Sequence, residues 1–399
     1  MNIAIFSDNF YPKVDGLTIT LLNFIRRLAE KGHKIRLYIP NYGDIEINNF
    51  HENISVERHV SFKLASYPEF RFAIPAPQKI RRSIKKFKPD IVHFHTLGTM
   101  GMMGIKFAEH YKIPLIGTYH TYLPGFLICI SPNKKIDKFD KKFLSKKIVW
   151  KFSNRLYNKC DLVTVPSESM KGVLEKNGLK TRIIPLSNGL NLDEFPSKIE
   201  YSRKCMLLHV GRMSYEKSID VIIKSVGILS KEFPDITLSL VGEGPALKSL
   251  KLLVKRLDIE KNVNFLGFVE HGRLSEIYKE HDIFIIASTI ETQGVVILEA
   301  MASGLPIIGV NKLAIPDCVK NNINGYVTTP FDEIEMAQKI KVLYLDSKIR
   351  EVFGKKSSEM VREHDINNTI EKLESLYFEY KDIKKVNTSG IYKEIAGTC

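Results

Sequence analysis

The chain has 399 residues, 44% of them hydrophobic and 26% charged, with a formal net charge of +14. That length suits two domains of roughly 200 residues, each able to bury a full core, and the composition excludes a disordered or fibrous protein. The charge is uneven: residues 1–196 hold 31 Lys and Arg against 17 Asp and Glu, and residues 197–399 hold 28 of each, so the whole excess sits in the first half.

In chain order, the first half alternates short aliphatic runs with helical patterns, the signature of βαβ units and a parallel sheet. NIAIF (2–6), KIRLYI (34–39), DIVHF (90–94), PLIGT (114–118), DLVTV (161–165) and RIIPL (182–186) are predicted strands, with helices from Leu17 to Glu30 and Met100 to Tyr111. A basic stretch, Lys134 to Lys159, carries ten Lys and Arg against two acids, with Phe143, Leu144, Ile148, Trp150 and Phe152 interleaved. A helix of that pattern suits the interface of an anionic bilayer, with Lys134, Lys135, Lys141, Lys142, Lys146, Lys147 and Lys151 meeting headgroups and Trp150 the boundary. A solvated charged helix is the plainer alternative. KIRRSIKKFK (79–88) repeats the basic theme, and GFLICI (125–130) offers an apolar patch beside the long run.

After the turn-rich passage PLSNGLNLDEFPSK (185–198) the pattern restarts. MLLHV (206–210), ITLSLV (236–241), VNFLG (263–267), DIFIIAS (282–288), LPIIGV (305–310) and GYVTT (325–329) are its strands, with helices at about 217–232, 245–257, 273–281, 295–303 and 332–345. The expected organisation is an N-terminal unit over 1–190, a second over 191–365, and a last stretch, 366–399, whose helix packs back on the first unit before a tail. Doubly wound sheets bind ligands at the carboxyl ends of their strands, so two such domains facing across a cleft would place the site there.

The five cysteines are scattered without metal-ligand spacing and read as reduced thiols of a cytosolic chain. The opening MNIAIFSDNF has no secretion signal, and no apolar run reaches a membrane span. No nucleic-acid motif accompanies the basic charge, so no nucleic-acid partner is expected.

The chemistry concentrates in STIETQGVVILEAMASGLPIIG (288–309). Glu291 falls in a loop after a buried strand, Glu299 a turn into the following helix, and the backbone N–H groups of Gln293, Gly294 and Val295 open that helix, a place that favours anions and hydroxyls. Spacing alone leaves two solvated acids as the commoner reading. The frame E-x7-E followed by EAMASGLPIIG resembles the signature of glycosyltransferase family 4, retaining enzymes of GT-B fold, and VGRMSYEKSIDVIIKSV (210–226), LVGEGP (240–245), LGFVEHGRLSEIYKEHDIFIIAS (266–288), DIVHFHT (90–96) and TYHTY (118–122) are similar to its other segments in order.

That resemblance implies an α/β GT-B fold and a nucleotide-sugar donor, UDP-glucose by preference. It makes Glu291 a grip on the sugar and Glu299 a grip on the ribose. Arg212 and Lys217 become the pair that neutralises the leaving diphosphate, His120 a contact to the donor sugar, and Gly16 and the backbone near Val269 contacts to phosphate and base. Family members often carry two glycines in the first loop, where this chain has Asp15 before Gly16. No metal cofactor is expected, since Arg212 and Lys217 bring the charge a metal would bring. ETQG, with Gln293 where many members have Phe, resembles the bacterial diacylglycerol α-glucosyltransferases. The expected acceptor is therefore a membrane lipid such as diacylglycerol, reached by a peripheral protein on the inner face of the cell membrane. A mannosyl- or other hexosyltransferase acting on phosphatidylinositol or a surface polysaccharide is the alternative.

Overall fold

The computed structural model describes residues 1–11, 15–43, 51–64, 67–125, 139–201 and 205–396. They form two compact units, Met1–Ser187 with Asn367–Cys399, and Asn188–Ile366.

In the first unit a seven-stranded sheet has the order β3-β2-β1-β6-β7-β8-β9, every neighbouring pair parallel. Its strands are β1 (Asn2–Phe6), β2 (Lys34–Pro40), β3 (Ile54–His59), β6 (Ile91–Phe94), β7 (Leu115–Thr118), β8 (Leu162–Val165) and β9 (Ile183–Pro185). A separate antiparallel pair, β4 (Ser61–Leu64) and β5 (Tyr67–Ala73), lies between β3 and β6 in sequence. Ile3, Ala4, Ile5 and Phe6 are all buried, because helices cover both faces of a parallel sheet and leave no polar side to alternate with.

All six predicted strands of this half form. β3 was not predicted, since ISVERH mixes Ser55, Glu57 and Arg58 into an edge strand half open to water. Helix α1 (Gly16–Glu30) starts where Asp15 caps it by accepting from Thr18 N–H at 2.9 Å. Helix α2 (Pro77–Phe87) buries Ile80 and Ile84 and turns the basic run outward. Helix α3 (Thr99–Tyr111) is capped from a distance: the buried Asp8 carboxylate, just past β1, accepts from Met100 N–H at 2.8 Å and Gly101 N–H at 3.2 Å.

The C-terminal helix Ile366–Ala396 belongs with this unit from Asn367 onward. Tyr377 hydrogen-bonds His93, Glu374 pairs with His33 and Lys31, and Lys372 donates to the Pro185 carbonyl.

The second unit is a six-stranded parallel sheet of order β12-β11-β10-β13-β14-β15. Its strands are β10 (Met206–Val210), β11 (Thr237–Val241), β12 (Val263–Gly267), β13 (Ile283–Ile285), β14 (Ile307–Val310) and β15 (Gly325–Thr328), all as predicted. One core runs through it, from Leu207 and Leu208 to Ile307 and Ile308 on the strands and Ile222, Leu298 and Ile340 on the helices.

Each sheet reverses its winding once. β1 has β2 on one side and β6 on the other, and β10 has β11 on one side and β13 on the other. Loops diverge at such a point, leaving a crevice at the strands' carboxyl ends.

Candidate functional site

At the switch point of the second unit the loops after β10 and β13 hold the predicted residues. Gly211 and Arg212 follow β10, and a single 3-10 turn, Tyr215–Lys217, leads to the helix Ile219–Leu229. The next loop, from Gly242 after β11, packs against it so closely that a Cβ on Gly242 would stand 2.1 Å from the Gly211 carbonyl oxygen. Its φ of +126° is also one that only glycine adopts without strain. Met213 N–H donates to the Glu243 carbonyl at 2.8 Å, and Gly242 N–H to the Gly267 carbonyl at 2.7 Å. Three strand ends are thereby joined by backbone alone, and Val269, two residues past β12, packs partly buried on the same core.

Glu291 and Lys217, 74 residues apart, meet in an ion pair at 2.5 Å. Burial by itself raises the Glu291 carboxyl, but the charge and hydrogen bond of Lys217, with smaller help from Ser288 and His209, together hold it below the ordinary carboxylate value. The Glu291 carbonyl also accepts from Ala314 N–H at 3.2 Å, which pins the loop. Gly294, at φ +78°, turns the chain into the helix Val295–Ala302, and the first N–H groups of that helix have no partner within it by geometry.

Glu299 is only 2% exposed: the Tyr278 hydroxyl donates to its Oε2 at 2.8 Å, and His271 Nε2 stands 3.4 Å from Oε1. The hydrogen bond and charge of Glu299 raise the His271 imidazole above its usual value despite burial. Gln293 does something the sequence did not suggest. Its side-chain oxygen accepts from Asn188 N–H at 2.8 Å and its nitrogen lies 3.3 Å from His364 Nδ1. The side chain ties together the two points where the chain enters and leaves this unit, and its backbone N–H, the group expected to face the donor, stands at the helix start. Asn188, a turn residue by expectation, is one of those ties.

In the first unit, the loop after β1 carries Asp8, Asn9 and, past residues 12–14, Asp15 and Gly16. Asp15, which stands where family members often have glycine, is occupied as the α1 cap and accepts from the Asn9 amide at 2.8 Å. Gly16 is the first residue of the helix. His120, two residues past β7, is buried with His95 and His93: His95 Nδ1 lies 2.9 Å from His120 Nε2. The sequence offered a signal for this cluster. His93 and His95 alternate with Phe94, and a period of two puts both rings on one face of the strand.

The basic helix forms as Phe139–Tyr157, but its inward face is not the expected one. Trp150 is 9% exposed, with its ring centroid 6.3 Å from Tyr119 and 6.0 Å from Tyr122. Trp150 is thus a core anchor and is withdrawn from the expected bilayer boundary, because the aromatic pair beneath buries it better than an interface does. The outward face is Lys147, Ile148, Lys151, Phe152 and Arg155, with Ile148 61% and Phe152 49% exposed and Lys146 at its margin. Lys141 and Lys142 belong to the same helix. Lys134 and Lys135, and the apolar run 126–130, lie outside the described residues.

Among the described residues no helix is long and apolar enough to cross a membrane, and no three His, Cys, Asp or Glu side chains are grouped as metal ligands.

Comparison with known proteins bears on the family and the fold. Residues 192–360 match the family described as Glycosyl transferases group 1, and residues 14–194 the one described as Glycosyltransferase Family 4. The alpha-monoglucosyldiacylglycerol synthase of Streptococcus pneumoniae is 31% identical over 323 residues, 77% of this chain and 70% of that protein. The sulfoquinovosyl transferase of Arabidopsis thaliana is 26% identical over 371 residues, 89% of this chain and 69% of that one. In fold, the chain is similar to the crystal structure of Anabaena HepE in complex with UDP-glucose, with a TM-score of 0.73 at 19% identity over 95% of this chain and 100% of that one.

Proposed function

We propose that this chain, which belongs to glycosyltransferase family 4 and has that family's GT-B fold, moves glucose from UDP-glucose to diacylglycerol with retention, giving an α-glucolipid. That it is a glycosyltransferase follows from its family. The donor, the acceptor and the residue roles are our reading.

The observation that carries the reading is the Lys217–Glu291 pair at the carboxyl ends of β10 and β13. A sugar diphosphate needs a cation where its phosphate charge grows as the glycosidic bond breaks, and an acceptor of hydroxyl protons where its sugar lies. The ion pair holds both groups side by side, so one donor reaches both at once. Arg212, half-buried on the same loop, adds a planar guanidinium suited to two phosphate oxygens. The N–H groups of Gly294 and Val295 favour the same anion. Together these supply the charge that a metal ion otherwise brings, and metal-independent departure of UDP follows. Glu299 is assigned to the ribose hydroxyls, with Tyr278 orienting its carboxylate, and the backbone by Val269 to the base. With no carboxylate assigned as nucleophile, retention fits front-side attack, the leaving diphosphate taking the acceptor's proton.

Support for a lipid acceptor comes from the S. pneumoniae relative, named for a glucosyldiacylglycerol product, and from the Lys147, Ile148, Lys151 and Phe152 face. Lysines beside exposed apolar side chains suit a surface of anionic lipid.

Purified protein is to be incubated with UDP-glucose and vesicles containing diacylglycerol, and the lipid extract read by mass spectrometry. A product heavier by one hexose is expected. Product only with soluble sugar acceptors would sink the lipid assignment. Greater thermal stabilisation by GDP than by UDP would move the donor to the mannosyl alternative.

A further inference from the structure

The histidines around His120 are arranged to decide which of its nitrogens carries a proton. His93 and His95 lie on one face of the strand end, 0% and 2% exposed. His93 has both nitrogens engaged, Nδ1 with the Tyr377 hydroxyl at 2.7 Å and Nε2 with Thr118 Oγ1 at 2.6 Å, and Thr118 Oγ1 meets Thr164 Oγ1 at 2.6 Å. Its ring packs on His95 with centroids 4.1 Å apart.

His95 meets His120 edge to edge. Their planes differ by 18°, their centroids are 5.2 Å apart, and the Nδ1 to Nε2 distance is 2.9 Å. The centroid separation exceeds the nitrogen separation by about one ring radius on each side, as it must when two coplanar rings share one proton in their common plane.

Both rings share that single proton because His95 is held uncharged, its imidazole pushed well below its usual value by burial and then by its histidine neighbours. Two tautomer pairs satisfy the bond, and the other nitrogen of His95 separates them. His95 Nε2 is buried with no hydrogen-bond partner among the described residues. If His120 Nε2 donated, His95 would carry its own proton on Nε2 as an orphaned buried N–H, a group that folded proteins almost never leave unpaired. If His95 Nδ1 donates, Nε2 is a bare ring nitrogen and no N–H is stranded.

We propose that His95 is a positioning residue that fixes His120 as the Nδ1–H tautomer, so that His120 meets a sugar hydroxyl as donor and the hydroxyl oxygen accepts. Tyr377, on the C-terminal helix, and Thr118 set the His93 ring that backs His95. The proposal rests on the reading of His120 as a contact to the donor sugar, but the tautomer is testable without any donor.

In protein labelled with 15N-histidine, the long-range proton–nitrogen spectrum is expected to show His120 protonated at Nδ1 and bare at Nε2. A protonated Nε2 on His120 would overturn the proposal whatever the enzyme does. His95→Asn places an amide N–H where Nδ1–H stood, and His95→Gln places it nearer Nε2. His95→Asn is expected to keep the His120 pattern and stay within about threefold of native turnover. His95→Gln, equally polar and buried, is expected to lose the pattern and about tenfold or more in kcat, the effect of one lost hydrogen bond to a reacting group. Equal losses in both variants with an unchanged His120 spectrum would reduce His95 to packing. A native tautomer with a full-rate His120→Ala variant would leave the His95 assignment standing and remove the sugar contact instead.

Discussion

The two units meet the same architectural problem, a crevice at a sheet's switch point, with opposite chemistry. In the second unit the crevice is ionic: Lys217 faces Glu291 and His271 faces Glu299. In the first the histidine cluster is uncharged: burial keeps His93 down to about 3 and His95 neutral, hydroxyls from Thr118, Thr164 and Tyr377 complete the network, and the buried Asp8 carboxylate is taken up by the N–H groups of Met100 and Gly101. Yet the first unit carries the chain's positive excess, which lies on its surface, as on α2 and the helix Phe139–Tyr157. Charges held in a crevice suit the stabilisation of charge that develops in a reaction. Neutral, mutually bonded rings hold a geometry and tolerate little change of position.

That contrast is broken most directly by removing charge from the second unit. Lys217→Ala is expected to lower kcat about a hundredfold to a thousandfold, the usual loss when one group facing developing charge is removed, and Arg212→Ala to follow it. Glu291→Gln keeps shape and loses the negative partner, and a comparable loss is expected. Full activity in Glu291→Gln, measured with UDP-glucose and diacylglycerol vesicles, would remove Glu291 from the site.

Stability gives the next effect. Gly242→Ala forces a Cβ to 2.1 Å from the backbone carbonyl of Gly211 at φ +126°, and neither backbone segment yields. A loss of about 3 kcal/mol or more is expected from clash and strain together. In the first unit Gly98→Ala points a Cβ 2.3 Å from the Asp8 carboxyl carbon without φ strain. A side chain swings where a backbone does not, so denaturant unfolding should show a smaller loss, about 2 kcal/mol.

How much of this was legible in sequence differs between the units for the same physical reason. Buried parallel strands announce themselves as unbroken aliphatic runs, so MLLHV and DIFII were read correctly, while ISVERH, a half-exposed edge with four polar side chains, was not. Glu291 and Lys217 were legible through motif, but their pairing across 74 residues is a property of the fold. The side-chain partners of Gln293 and Trp150 were not legible, because residue type says that a side chain seeks a partner without saying which one. The amide found Asn188 and His364, and the indole found Tyr119 and Tyr122. His93 and His95 carried a readable period-two signal.

A surface effect follows in size. If the outward lysines of Phe139–Tyr157 meet anionic lipid, Lys147→Glu with Lys151→Glu should weaken sedimentation with phosphatidylglycerol vesicles roughly tenfold or more, at about 1 kcal/mol for each charge near the surface. Phe152→Ala should add a smaller loss. The same changes should leave donor-induced thermal stabilisation alone, and a loss there would mean that the first unit's charge also serves the nucleotide.

The smallest effect is the most discriminating, because the two units should answer acid with opposite signs. Glu291 is held below its ordinary value of 4.5, so its pairing with Lys217 stabilises fully above that value and is lost as pH falls through the lower folded value. The deficit of Glu291→Gln in thermal melts should therefore narrow on acidification from pH 6 toward 3. Asp8 is raised above 3.8 because burial outweighs the N–H and hydroxyl donors around it. Keeping it ionised costs the folded state, and that cost disappears as pH falls through the raised value toward 3.8. The native protein regains this stability and Asp8→Asn has none to regain, so the deficit of that variant should widen over the same range. Parallel trends in the two variants would mean that the pH response belongs to the net charge of the chain and not to the two crevices.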